Sequence, residues 1–333
     1  MTEVTRSCVV VGAGISGLLA ARELAAAGWR VVVLDKGRGV GGRMATRRLE
    51  NGTFDHGVQF FTVRSDRFGK LVQEWSGEGV VEEWSRGFAD AEGRQNEDGH
   101  PRYRGFRGMS SVADHLARGL DVRTGERVVG VKIRDKVWEA RTETGSQVAG
   151  TALLLTAPVP QSRALFEGGS ALSEETRQRL AGISYSPCLA LMALMDGPTG
   201  VPEPGGIQIK GEPLDWIGDN QRKGISEAPA ITIHAGPEWS REYFESEEAL
   251  VAASLLAFAA EQLATDLPSR VLETSLVRWR YSWVTQPHPE PCFVASGDPP
   301  LLFAGDAFGP SKVEGAALSG LAAAHCLTTA VVN

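Results

Sequence analysis

The sequence predicts an α/β protein in which a mostly parallel, doubly wound sheet is interrupted by an inserted domain of mixed-sheet α+β texture. Three observations carry that prediction. Ser7–Val11 (SCVVV) and Val31–Asp35 (VVVLD) are short β-branched runs without polar alternation, the texture of strands buried on both faces. Between them lie a glycine turn and Ile15–Ala27, rich in good helix formers and followed by Gly28 where a C-cap residue belongs. The same buried-strand texture returns at Pro299–Ala304 (PPLLFA), ahead of the Ala-rich segment Gly315–Val331. Strand, helix and strand within the opening residues form one βαβ unit, which crosses over right-handedly into a parallel sheet.

The remaining elements follow in chain order. Met109 to Val131 reads as a helix and two short strands, and Thr151–Ala157 (TALLLTA) as another buried strand closed by Pro158 and Pro160. From about residue 163 to 275 the texture changes to strands such as Cys188–Met195 and Ala230–His234, Gly/Pro turns, and one long amphipathic helix, Ser246–Ala264. The expected division is therefore discontinuous. Residues 1–70, 103–162 and 276–333 form the nucleotide-binding domain, and 71–102 with 163–275 the substrate domain.

A chain of 333 residues with 42% hydrophobic and 23% charged residues is long enough for two domains around a substantial core. The formal net charge of −7 comes with no basic block, which disfavours bulk nucleic-acid binding. Cys8, Cys188, Cys292 and Cys326 are scattered without a C-x-x-C pair, so no metal site, redox dithiol or disulfide framework is expected. Gly12, Gly14 and Gly17 break up the apolar N-terminal segment, which argues against a secretion signal. No run approaches the roughly 18 apolar residues of a membrane span. The expectation is a cytoplasmic protein without a membrane partner.

The chemistry begins at Gly12-x-Gly14-x-x-Gly17, which follows a strand, opens a helix and is followed by an acid at Asp35. Gly12 permits the tight turn, Gly14 lets backbone approach a pyrophosphate, and Gly17 lets the helix lie close on the strand. The helix N-terminus presents N–H groups and a positive dipole end to phosphate, and Asp35 can accept from a ribose hydroxyl. A second glycine loop, Gly39-Val-Gly41-Gly42-Arg43-Met44, comes soon after, then Phe54-Asp55-His56-Gly57-Val58-Gln59-Phe60-Phe61. Two glycine loops suit a cofactor with two phosphates and a flat ring, and Arg43 suits phosphate or carbonyl oxygens.

Gly39–Thr46 (GVGGRMAT) with Asp55–Phe61 resembles the flavin-containing amine oxidase superfamily, and within it the renalase-like proteins. Leu301–Asp306 (LLFAGD), Val313–Ala316 (VEGA) and Ser319-Gly320 match the second FAD signature of the same family. The resemblance is dense over 1–65 and 275–333 and thin between, where only Ala157-Pro158, Trp239-Ser240 and Trp279-Arg-Tyr281 are familiar. It implies a Rossmann-like FAD-binding domain of the p-hydroxybenzoate hydroxylase/amine oxidase type. Cys292, 13 residues before Gly305, stands in the wrong place for the family's thioether, so a non-covalently bound FAD is expected. Carried onto the matching positions, the cofactor residues are Gly12, Gly14, Ile15, Ser16, Gly17, Asp35, Lys36, Gly42, Arg43, Met44, His56, Gly57, Val58, Gln59, Val128, Ala157, Gly305, Asp306, Val313 and Ala316. Asp306, at a strand end, can accept from ribityl hydroxyls. The helix starting near Val313 would aim its N-terminus at the flavin N1–C2=O edge.

Candidates for catalysis are Gln59, Phe60, His234, Trp279 and Tyr281. Trp279, Tyr281, Trp283, Phe60 and Phe61 can wall a flat cavity, since π faces suit a planar substrate. Gln59 can bond an amide or the flavin, and His234 ends an apolar strand before Gly236-Pro237. Arg102, Arg104 and Arg107 read as a solvated face, and Ser240 as a helix cap.

The resemblance implies oxidation of dihydropyridine isomers of NAD(P)H, reduced at ring position 2 or 6, to NAD(P)+. Hydride would pass to flavin N5, and O2 would reoxidise the flavin to give H2O2. Aromatisation of the pyridinium drives that transfer, so no strong general base is required. An amine oxidase or desaturase on the same fold is the enzymatic alternative, and an FAD-binding redox sensor the non-enzymatic one.

Overall fold

A computed structural model describes residues 6–166 and 172–329. The chain divides into two compact units. The first comprises Met1–Gly42, Val112–Ser184 and Val284–Asn333, and the second Arg43–Ser111 and Tyr185–Trp283. These bounds differ from the expected ones at 43–70, 103–111 and 276–283, which fall in the second unit, and at 163–184, which falls in the first.

The first unit is built on a six-stranded sheet. Its order is Phe293–Gly297, Pro300–Phe303, Ala152–Leu155, Ser7–Val11 (β1), Arg30–Leu34 (β2) and Asp121–Arg123. All neighbours run parallel except the edge pair at 293–303. Val9, Val10, Leu153, Leu154 and Leu155 are wholly buried, which explains why these strands carry unbroken apolar runs. The helix after β1, Ile15–Ala26 (α1), packs on the closing helix Val313–Thr329 by direct backbone approach. A Cβ added at Gly320 would lie 2.1 Å from the Ser16 carbonyl oxygen. The closing helix thus starts two residues before the expected Gly315, while Ala330 and Val331 lie outside the described residues. A three-stranded antiparallel sheet, Val128–Arg134, Val137–Thr142 and Gln147–Gly150, completes this unit's sheets; only its first strand was legible in the sequence.

The second unit carries a seven-stranded mixed sheet. Its order is Val271–Gln286, Ser184–Met195, Ala230–Ala235, Leu214–Asp219, Gly206–Gln208, Val81–Asp90 and Gln95–Gly105. The strand Ser184–Met195 buries both faces. Leu189, Leu191, Ala193 and Met195 join Val251, Leu255 and Ala259 of the helix Glu248–Leu263 in one cluster, while Met192 and Leu194 pack with Phe54 in another. Ser240 corrects the expectation of a cap. Gly236 is the N-cap of the helix Pro237–Glu242, and Ser240 lies buried inside it, accepting from the Leu189 N–H at 3.0 Å. Arg102 and Arg104 likewise correct the solvated-face expectation: Arg102 is buried and paired with Asp98, and Arg104 pairs with Glu82. Among the described residues, no helix is long and apolar enough to cross a membrane.

Candidate functional site

In the first unit the two glycine loops meet. Gly12, at φ +114°, turns the chain out of β1, and a Cβ there would lie 2.6 Å from Thr156 Oγ1. A Cβ on Gly17 would sit 2.0 Å from the Gly12 carbonyl oxygen, so this glycine sets the close approach of α1 to the turn. Gly41 donates its N–H to the Ala13 carbonyl at 2.8 Å, and a Cβ on Gly42 would come 3.8 Å from Gly14 Cα. Asp35 ties the turn together, accepting from the Ala13 and Gly37 N–H groups, both at 2.6 Å. Two accepted bonds leave a carboxylate further lone pairs for a ribose hydroxyl.

This cradle fits a dinucleotide on its own geometry. Gly14 has nothing within 4 Å of where a Cβ would stand. As the N-cap of α1 it provides no side-chain cap, so the N–H groups of the first turn remain for an anion. Ser16 Oγ is buried with no protein partner among the described residues, as a hydroxyl would be when its partner is a ligand oxygen. Ile15 is buried behind it, and Lys36 reaches Gln161 at 3.4 Å, its pKa lowered by burial and then by Arg127.

At the other signature, Gly305 (φ +131°) donates to Ser319 Oγ at 2.8 Å, which fixes the Gly305-Asp306 turn to the closing helix. Asp306 is partly exposed, and Val313 and Ala316 are buried in the first turns of that helix. Val128 is buried at the start of its strand, and the Ala157 carbonyl accepts from Ser162 Oγ at 3.0 Å. Thr156, overlooked in the sequence, bonds the Val11 and Gly12 carbonyls through Oγ1. Its only signal was a hydroxyl at the end of an apolar strand.

The second unit gathers a polar and aromatic cluster around the segment 55–60. The His56 carbonyl accepts from Trp279 Nε1 at 3.1 Å and lies 3.2 Å from His234 Nε2, and the rings of His56 and Trp279 stack at 5.3 Å and 9°. Gln59 is buried. Its Nε2 donates to the Asp55 carbonyl at 2.5 Å, while Oε1 has no partner among the described residues. Gly57 lies against Arg43, 2.2 Å separating its would-be Cβ from the Arg43 carbonyl, which also accepts the Val58 N–H. Arg43 donates to the Tyr281 and Ser282 carbonyls, and Met44 is buried in the same short turn.

The expected aromatic wall does not assemble as one surface. Phe60 packs with Trp84, Phe88 and Trp216, Phe61 is buried against Tyr103 and Phe68, Tyr281 meets Tyr185 edge-on, and Trp283 is exposed. The sequence reading also missed a wholly buried ion pair, Lys223 Nζ to Asp55 Oδ2 at 2.6 Å. Burial lowers the Lys223 pKa, opposed by the Asp55 charge.

Burial pushes both histidines down to about 4, aided at His56 by the Arg47 charge. The unfolded chain binds these protons from an ordinary 6.5, the folded protein only near 4. Stability is therefore full above neutrality and falls as pH drops through that window, by on the order of 3 kcal/mol for each histidine. Urea midpoints measured from pH 7 to 4 check this. His234→Asn should flatten the acid limb, and an unchanged limb would assign the loss to other groups.

Comparison with known proteins decides the family. A model for flavin-containing amine oxidoreductases matches residues 66–328. The chain belongs to that family. Residues 10–75 separately match an NAD(P)-binding Rossmann-like domain, in agreement with the cradle around Gly12–Gly17. The flavoprotein is 27% identical to renalase from Mus musculus over 322 residues, spanning 87% of this chain and 92% of renalase. It is 39% identical to an L-amino acid dehydrogenase from Synechocystis sp. over 70 residues, 21% of this chain and 15% of that protein. In fold it is similar to putrescine oxidase bound to putrescine, with a TM-score of 0.72 at 15% identity, covering 97% of this chain and 99% of the other. The protein is an FAD-dependent oxidoreductase, and its first unit supplies the Rossmann-like fold that the sequence predicts.

Proposed function

We propose that this flavoprotein is an oxidase of dihydropyridine isomers of NAD(P)H, reduced at ring position 2 or 6, returning them to NAD(P)+. The observation that carries the reading is the likeness to renalase along most of both chains. An alkylammonium ion must lose its proton before it can give up hydride, whereas a dihydropyridine carries none and becomes aromatic when hydride leaves, so this reaction asks for no base. His56 and His234, pushed down by burial to about 4, are uncharged at neutral pH, in keeping with a site that moves no proton.

Bound FAD would supply the hydride acceptor and, through O2, the route of the electrons to H2O2. The chain's own work is orientation and polarity. The stacked His56 and Trp279 rings are flat and, at neutral pH, uncharged. Gln59 Oε1 is an acceptor that the protein leaves without a partner among the described residues, suited to an amide N–H.

Anaerobic stopped-flow of the yellow holoprotein tests the proposal. Borohydride-reduced NAD, which contains the ring isomers, should bleach the flavin rapidly, while pure 4-dihydro NADH and putrescine should not. Bleaching by putrescine alone would move the protein to the amine oxidases.

A further inference from the structure

Lys223 lies outside every motif recognised in the sequence, yet it is the most buried cation among the described residues. Its side chain is 1% exposed and that of Asp55 is not exposed at all. The turn that carries it is built with care. Asp219 accepts the Gln221 and Arg222 N–H groups at 2.8 and 2.9 Å and is held in turn by Thr199 Oγ1 at 2.6 Å. From that turn the ammonium group makes three contacts at once. It reaches Asp55 Oδ2 at 2.6 Å, the Gln59 carbonyl at 2.6 Å and the face of Trp84 at 4.9 Å. The other Asp55 oxygen accepts from Thr46 Oγ1 at 2.6 Å and the Met109 N–H at 2.8 Å. Trp84 packs against Phe60 in turn, with 6.4 Å between ring centroids.

A buried ion pair is a weak source of stability, because desolvation offsets most of the attraction. What this pair does supply is position. Both ends of the segment 55–59 are gripped by one ammonium group, at the Asp55 side chain and at the Gln59 carbonyl. Between those grips lies the neutral His56, and Gln59 Oε1 beside it has no partner among the described residues.

We propose that Lys223 is the positioning residue of the segment 55–60, fixing the Gln59 carbonyl and with it the presentation of Gln59, His56 and Phe60. The test uses holoprotein carrying Lys223→Met together with Asp55→Asn. That double change removes both charges, keeps an acceptor for Thr46 and Met109, and should leave the global urea midpoint near wild type. Hydrogen exchange read by mass spectrometry should then show peptides covering 56–61 exchanging about tenfold faster or more, with the strand Ala230–Ala235 unchanged. The limiting rate of flavin reduction by borohydride-reduced NAD should fall by about tenfold to a hundredfold, with a smaller change in apparent dissociation constant.

The kinetic arm rests on the oxidase reading above; the exchange arm does not. Native exchange at 56–61 would overturn the proposal whatever the substrate, and faster exchange with an unchanged reduction rate would overturn it too. If the isomers fail to bleach even wild-type protein, the oxidase reading falls and the exchange result alone decides the role of Lys223. Should the double variant not fold, Lys223→Arg, which keeps the charge but not the compact ammonium geometry, is read by the same two measurements.

Discussion

Replacing Gly14 with valine yields a folded protein that does not retain FAD. The N-cap residue of α1 has φ −78° and ψ 177°, extended backbone that any residue adopts, and nothing stands within 4 Å of an added Cβ. The fold therefore loses only a modest N-cap preference, under about 1 kcal/mol. The space a side chain would fill is the space through which a pyrophosphate approaches the first turn of α1. FAD affinity should fall by at least about a hundredfold, which is roughly 2.7 kcal/mol or more. The visible flavin absorbance of the purified variant, beside a urea melt compared with wild-type apoprotein, separates the two effects. Normal flavin content would refute the assignment of this cradle. Gly17 is the contrast. There a Cβ meets the Gly12 carbonyl at 2.0 Å, so Gly17→Val damages the fold and says little about the cofactor.

Lys223→Met alone is expected to destabilise the protein by about 3–5 kcal/mol. Methionine fills nearly the same volume, so the loss does not come from packing. It comes from leaving the Asp55 carboxylate in a wholly buried position with Thr46 Oγ1 and the Met109 N–H as its remaining close donors. Urea denaturation of the holoprotein measures the loss directly. A change below about 1 kcal/mol would show that the carboxylate rehydrates or protonates at little cost, and the ion pair would then have no structural weight.

What could be read from the sequence was what short-range chemistry controls. Gly12, Gly14, Gly17 and Asp35 belong to one βαβ unit, where the turn, the helix start and the acid are separated by few residues and little conformational freedom. The buried strands Ser7–Val11 and Ala152–Leu155 were legible because a parallel strand covered on both faces can be made only of apolar residues. The closing helix and the turn at Gly305-Asp306 were recognisable for the same local reason, each within a single stretch of chain.

The second unit was not legible in this way. Asp55 and Lys223 are 168 residues apart in sequence, and a buried lysine is indistinguishable in composition from a solvated one. Trp279 meets His56 rather than Tyr281 or Phe60, because residues on a sheet are gathered by strand order and register. Arg102 looked solvated beside its neighbouring arginines, but the pairing of Val81–Asp90 with Gln95–Gly105 buries it. The sequence by itself thus determined the nucleotide cradle, which depends on backbone conformations that only particular residues allow, while the class of cofactor came from its resemblance to the amine oxidase superfamily. Which side chains stand around the segment 55–60, and which histidines lose their charge by burial there, was decided by tertiary pairing between distant strands.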